Sequence, residues 1–438
     1  MGTIFDAMLW FTLYVIALLL PQVVALLCDP IETVRPFLLE FGVALGFVAY
    51  PLLTSEFSLV GRIRSVSVLY GNDVLMFFHK YLGIGALALV IAHPLLVSPG
   101  NFASFDPFAG STMIRYGAWS FWLLVILTLT SLFRRRLRLS YGWWMVTHYA
   151  LALAIGTLGL AHILAARGYS SSGIVRVVMI GYFIGFLIPM FHYRVWQYYR
   201  MLLRPWKVVE NRDEGSRVHT LVLKPVGHQG FEFHPGQFAW IATGYPITTD
   251  QHPISISSSA ELAPDRRIEF SIQDLGDWSG RQIPRAAVGA AAYVNGPFGA
   301  MSIDREPGQG FVLIAGGIGI TPLRSMILTM KDRCDARPVI LFYAAHKLEA
   351  VVYRQELESL QQQMNLKVVM VLSEPPNEWT GERGHIDAAL LKRHLPAQFM
   401  RFQYFVCGPS AMLDAMEDTL TSLGLPRSRV HCERFNVV

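Results

Sequence analysis

VLMFFHKYLGIGALALVIAHPLLV, residues Val74–Val97, carries two histidines fourteen positions apart, His79 and His93, in a run whose one other charged side chain is Lys80. A second apolar run, WWMVTHYALALAIGTLGLAHILA at 143–165, repeats the spacing with His148 and His162. Both are long enough to cross a bilayer. Fourteen residues make close to four helical turns, so each pair shares one helix face with a rise of roughly 21 Å between its members. Two such helices, side by side and parallel, set His79 level with His148 and His93 level with His162. Facing imidazoles at each of two depths are what two bis-histidine haems require, and bis-ligation favours electron transfer over ligand binding at the metal. One histidine in an apolar helix is more often a hydrogen-bonded packing residue; four at matched spacing and depth argue for ligands. The runs offer no clustered carboxylates or thiolates for zinc or di-iron. His192 has no counterpart and reads as interfacial or structural.

Working outward, six apolar stretches fall at about 5–27, 37–55, 74–97, 116–133, 143–165 and 174–196. Arginines cluster in alternate connections: GRIRS with Arg62 and Arg64, RRRLR from Arg134 to Arg138, and the HYRVWQYYRMLLRPWK that follows the sixth stretch. The other loops hold few positive charges. That asymmetry predicts six transmembrane helices in an inner or plasma membrane with both termini cytoplasmic. It also makes the third and fifth helices parallel, with His79 and His148 toward the cytoplasm. The net charge of +5 is accounted for by these flanking arginines, so no nucleic-acid partner is expected. No basic region with a cleavage site precedes the first run, which is therefore expected to be a retained helix. Cys28, Cys334, Cys407 and Cys432 match no disulfide framework or metal spacing.

From about Leu203 the pattern changes. RVHTLVLKP, GQFAWIAT, RRIEFSIQD and AAYVNGPFG read as strands of a small antiparallel barrel. From about Gly310 strands and helices alternate: FVLIAGG then TPLRSMILTMK, VILFYAA then YRQELESLQQQM, KVVMVLS, and YFVCG then PSAMLDAMEDTLTSLG. That is the pattern of a parallel sheet with crossover helices. The expected divisions are 1–202, 203–307 and 308–438. AGGIGITP, Ala315 to Pro322, follows a strand and opens a helix. Gly316, Gly317 and Gly319 permit a tight turn, Thr321 and Pro322 suit a helix start, and the helix N-terminus can face a diphosphate. VCGP, ending in Gly408 and Pro409, closes another strand, where α/β sheets place ligands.

PGQF (Pro235 to Phe238), HPISISSS (His252 to Ser259) and GDWS (Gly276 to Ser279) come in that order before AGGIGITP. On these motifs the chain resembles the ferredoxin–NADP reductase superfamily. More closely it resembles the membrane branch of NADPH oxidases and ferric reductases, whose flavin motif begins His-Pro rather than with arginine. The resemblance runs over nearly the whole chain. It implies a multi-domain membrane protein: a six-helix transmembrane bundle, an antiparallel β-barrel for FAD and an α/β parallel-sheet nicotinamide domain. By that likeness His252, Pro253, Ile254 and Ser255 line the isoalloxazine and ribityl region, and Gly276 and Ser279 approach the FAD pyrophosphate. AGGIGITP becomes the nicotinamide pyrophosphate loop and Cys407 lies near the nicotinamide C4. Phe435 stands where an aromatic stacks on the flavin, but three residues follow it. His346 and Lys347 stand where the family often has an arginine for the 2′-phosphate. Lysine lacks arginine's bidentate fork, so the donor is NADPH or NADH.

The resemblance implies hydride transfer from NAD(P)H to FAD, then single electrons through two b-type haems to an acceptor beyond the membrane. Oxygen giving superoxide is the expected acceptor, with a ferric chelate or a periplasmic acceptor protein as alternatives. A reading of another class makes the helices a lipid-embedded anchor or signalling bundle and predicts no haem.

Overall fold

The computed structural model describes residues 2–28, 35–60, 72–166, 168, 170–245, 251–261 and 263–434. It separates into two compact units, Met1–Trp196 and Gln197–Val438. The first holds six long helices: α1 (Gly2–Cys28), α2 (Phe37–Val60), α3 (Asn72–Val97), α4 (Thr112–Leu132), α5 (Tyr141–Ala165) and α6 (Gly173–Phe191). All six are long and apolar enough to cross a membrane. Their outward faces carry large exposed apolar residues, such as Phe11 and Leu27 on α1 and Val177 and Ile188 on α6. Buried Phe47 and Tyr50 of α2 pack with Val175 and Met179 of α6. Helices hydrophobic on both sides suit a lipid surround. The helix starts have local causes: Ser111 and Ser172 accept from Ile114 N–H and Ile174 N–H as N-caps.

The sixth stretch departs from expectation. Its α-helix stops at Phe191, and a π-helical turn, His192–Trp196, leads into α7 (Gln197–Leu203). Pro189 lies inside the last turn of α6, where a missing N–H loosens the ladder and permits the wider turn.

The second unit holds two six-stranded sheets. In the first, β1 (Pro205–Asp213), β2 (Val218–Pro225), β3 (Phe238–Ala242), β4 (His252–Ser255), β5 (Ile268–Gln273) and β6 (Ala291–Phe298) pair antiparallel in the order β4-β3-β6-β1-β2-β5. The bridge Ile256↔Phe270 joins the two edges, so the sheet closes as a barrel. Trp206, Leu221, Ile241 and Phe270 fill its interior. Two strands of this sheet escaped the sequence reading. In β1 only Trp206 and Val208 are buried apolar residues and the rest is largely charged; β4 begins within the His-Pro motif.

The second sheet is wholly parallel and contains β7 (Phe311–Gly316), β8 (Val339–Ala345), β9 (Leu366–Leu372), β10 (Glu382–Arg383), β11 (Gln403–Cys407) and β12 (Val430–Cys432). Its order is β10-β9-β8-β7-β11-β12. α8 (Ile320–Asp332) and α9 (Arg354–Gln363) cover one face; α10 (Ala388–His394) and α11 (Ser410–Ser422) cover the other. Every residue of β7 is buried, the mark of a central strand covered on both faces. The strand order reverses between β7 and β11, so the loops after these two strands share the crevice where α/β sheets bind ligands.

Candidate functional site

α3 and α5 run parallel and bring the histidines into two facing pairs. His79 and His148 have ring centroids 6.1 Å apart with planes at 66°; His93 and His162 are also 6.1 Å apart, with planes at 87°. One metal ion bound by two imidazole nitrogens at about 2.0–2.1 Å asks for on the order of 6 Å between ring centres. Each gap therefore fits one metal ion held between the two rings. Among the described residues no group of three or more His, Cys, Asp or Glu side chains is placed to hold a metal ion.

The hydrogen bonds settle which ring nitrogen is available. His93 Nδ1 lies 2.8 Å from the Gly42 carbonyl and His162 Nδ1 2.8 Å from the Met113 carbonyl. A carbonyl only accepts, so both Nδ1 atoms carry the proton and Nε2 is the free lone pair. His148 Nδ1 lies 3.1 Å from the Ser131 hydroxyl, whose own proton goes to the Leu127 carbonyl at 2.7 Å. His79 Nδ1 lies 2.6 Å from Glu56 Oε2. A partner on Nδ1 that orients the ring and leaves Nε2 for iron is the usual arrangement of a ligating histidine.

Two glycines make the outer contacts feasible. A methyl group on Gly46 would lie 2.9 Å from His93 Nδ1, and one on Gly117 would lie 2.8 Å from His162 Nδ1. Each stands one helical turn beyond the carbonyl its histidine uses. None of Glu56, Ser131, Gly46 or Gly117 was singled out from sequence. Of the two acids in the apolar run FLLEFGVALGFVAYPLLTSEFSLV, Glu40 sits in the first turn, and the second, deeper in the run, was the signal that could have pointed to Glu56.

In the second unit His252, Pro253 and Ile254 are half-buried on β4 and Ser255 is buried. The His252 ring stacks on Trp278 with centroids 3.9 Å apart, and the indole donates to Thr243 Oγ1 at 3.1 Å. This joins the HPIS and GDWS motifs at one end of the barrel. Gly276 and Ser279 lie in the turn there, with Ser279 Oγ accepting from Leu275 N–H at 2.9 Å.

The nicotinamide motifs also converge. Gly316 ends β7, Gly317–Gly319 form a single 3-10 turn, and Thr321 and Pro322 lie buried in the first turn of α8. Cys407 ends β11 and is followed by Gly408 and Pro409 at the start of α11. Gly319 packs on the Cys407 carbonyl with no room for a side chain, and Gly316 approaches Pro409 and Gly408. Burial, with Glu433 and Cys432 nearby, pushes the Cys407 thiol well above its ordinary range, so it stays protonated at neutral pH. Lys347 is exposed, with Nζ 3.8 Å from Glu374 Oε2, while His346 Nε2 lies 3.3 Å from Oε1 of the same residue. Phe435 lies outside the described residues.

Residues 45–159 match the family model of the ferric reductase like transmembrane component, and residues 313–418 match the oxidoreductase NAD-binding domain. The two matches put a ferric reductase-like transmembrane component and an oxidoreductase NAD-binding domain in one chain. It is an integral membrane protein with a ferredoxin–NADP reductase-type second half. Among curated relatives it is similar to the flavohemoprotein of Oceanobacillus iheyensis, 26% identical over 240 residues, covering 53% of this chain and 59% of that one. It is also similar to the xylene/toluene monooxygenase electron transfer component XylA of Pseudomonas putida, 29% identical over 224 residues, covering 50% and 62%. The chain spans about three fifths of the length of these two relatives. Among solved structures, the FAD/NAD binding domain of nitric oxide dioxygenase from Vibrio cholerae matches with a TM-score of 0.47 at 21% identity, covering 52% of this chain and 97% of that one.

Proposed function

We propose that this protein is a member of the NADPH oxidase and ferric reductase superfamily and moves electrons from cytoplasmic NAD(P)H across the membrane to oxygen on the far side, producing superoxide. The observation that carries the reading is the pair of 6.1 Å imidazole gaps, each flanked by Nδ1 atoms committed to acceptors. In this reading His79 with His148 and His93 with His162 hold two b-type haems. Residues 203–307 bind FAD through His252 to Ser255 with Gly276 and Ser279, and 308–438 bind the nicotinamide through Gly316 to Pro322, Cys407, Gly408 and Pro409. FAD supplies the conversion of a two-electron donor into single electrons, and haem iron supplies one-electron carriers.

The chain's own contribution is positional. α3 and α5 hold the two pairs about four turns apart along one line. Small residues at Gly316, Gly317 and Gly319 let backbone N–H groups approach phosphate. In this reading Lys347 meets the adenosine-ribose 2′ position of the coenzyme as a single point charge. His93 and His162 would hold the outer haem and leave its iron no open position, so a small neutral acceptor would need no built pocket beside them. The arginines of the 134–138 connection support the assignment of His79, His148 and both termini to the cytoplasmic side. An electron leaving a negative cytoplasm then gains about 2.3 kcal/mol per 100 mV of membrane potential. The ferric reductase-like match over 45–159 favours a second reading, in which the acceptor is a ferric chelate.

The test is an anaerobic visible spectrum of the purified protein before and after NAD(P)H, with haem quantified against FAD. Two haems per FAD, reduced to low-spin b-type bands and reoxidised rapidly by air with superoxide formed, is the expected result. Slow reoxidation by air and fast reoxidation by ferric citrate would favour the second reading. Absence of haem after haem-supplemented expression would defeat both.

A further inference from the structure

Glu56 is a buried carboxylate in the last turns of the largely apolar helix α2, with 8% of its surface exposed. Its Oε2 lies 2.6 Å from His79 Nδ1, and its Oε1 has no hydrogen-bond partner among the described residues. An acidic side chain at membrane depth is costly, so its retention asks for a role. The four histidines do not have equivalent partners. His93 and His162 meet neutral backbone carbonyls, and His148 meets the hydroxyl of Ser131. The carboxylate at His79 is the single acidic partner among the four, and it lies at the end assigned to the cytoplasm.

Resting on the haem-ligand assignment above, we propose that Glu56 is a potential-setting positioning residue. It gives the His79–His148 haem a lower reduction potential than the His93–His162 haem, so electrons move outward downhill. When His79 uses Nε2 for iron, its Nδ1 carries the proton and donates to Glu56 Oε2. A charge-assisted bond of this length draws the proton toward the carboxylate and leaves the ring more electron-rich. An electron-rich ligand and an adjacent negative charge both stabilise ferric over ferrous iron, and the low-dielectric surround strengthens the effect. The neutral partners of the outer pair do so less. For each electron passed, the inner iron is oxidised from ferrous to ferric and the outer iron is reduced from ferric to ferrous. The proton stays between His79 and Glu56, so no proton need cross with the charge.

The experiment is a spectroelectrochemical redox titration of the full-length protein, with low-spin electron paramagnetic resonance as a second readout, on wild type, Glu56→Gln and Glu56→Asp. In Glu56→Gln both haems are retained and the lower midpoint rises. The electron distribution between the two centres shifts by tenfold or more, equivalent to about 59 mV for one electron. One of the two low-spin signals moves and the other stays. Glu56→Asp, which keeps the carboxylate, retains most of the wild-type separation. Two haems with an unchanged separation in Glu56→Gln would overturn the role of Glu56 while leaving the ligands intact. A wild type without haem would overturn the ligand assignment itself. A further check needs no change at position 56: His162→Ala removes the outer centre, and the surviving haem must be the one of lower potential. Survival of the higher-potential haem overturns the proposal.

Discussion

At the scale of the residue, Lys347 has a neighbour that the local motif does not reveal. Its place after β8 suits a reader of the 2′-phosphate, but Glu374 stands 3.8 Å away and also meets His346. Ala345 and Leu372 are register partners on neighbouring strands, which brings a residue from the end of β9 beside one from the end of β8. A carboxylate there repels a 2′-phosphate and accepts from a 2′-hydroxyl. Glu374→Gln is therefore expected to lower the KM for NADPH about two- to fivefold, the size of an exposed charge pair of ~0.5–1 kcal/mol, and to leave NADH nearly unchanged. Steady-state dye reduction with both coenzymes measures this; an equal change for both would show that Glu374 does not face the 2′ position. The four histidines were legible because their period is local. Glu56, Ser131 and the carbonyls of Gly42 and Met113 were not, because each lies on a different helix from the ring it serves.

At the scale of the element, helix packing decides whether the histidines can be oriented. Gly46→Ala or Gly117→Ala gains roughly 0.5–1 kcal/mol of intrinsic helix preference. The new methyl group would press on the Nδ1 of His93 or His162 at under 3 Å, and overpacking of that kind costs about 1–3 kcal/mol. The clash outweighs the gain. Either variant is expected to lower the haem-to-FAD ratio from two toward one, read by the alkaline pyridine spectrum, while NAD(P)H-driven dye reduction persists. An unchanged ratio of two would show that the helices separate without losing the site. Hydropathy and turn signals located all six long helices and the central strands, whereas β1, β4 and the short edge strands β10 and β12 were missed. A strand lined with charge on one side, such as β1, has little periodic signal until its neighbours β6 and β2 are in place.

At the scale of the whole molecule, the second unit is tied together by Arg324 of α8, which is buried. Its guanidinium donates to the Ser257 carbonyl and Glu269 from the barrel half and to Glu356 on α9, and lies 4.4 Å from the Tyr353 ring centroid. Burial alone would raise the Glu269 carboxyl, but Arg324 and Arg212 outweigh it and hold it below the usual carboxylate range. A depressed carboxylate contributes stability that is complete above its unfolded pKa, near 4.3, and is lost as pH falls toward the folded value. Thermal unfolding followed by flavin fluorescence should therefore weaken below about pH 4.5, and Glu269→Gln should flatten that part of the profile. An identical acid profile in the variant would remove Glu269 from the account. Arg324→Ala should cost about 1–3 kcal/mol, because it strands two partly buried carboxylates, Glu269 and Glu356, on either side of the contact.

Composition, periodicity and short-range spacing determined the order of the parts: an apolar helical half, a barrel and a parallel sheet, with paired histidines in the first and glycine-rich turns in the last. Those properties act over a few residues and survive in a string of letters. Tertiary structure alone decided which groups face one another. It set Glu56 against His79, Gly117 against His162, His252 on Trp278 and Glu374 beside Lys347. Each contact joins segments distant in the chain or on separate elements, and its strength depends on distances of a few ångströms that only the packed helices and paired strands define.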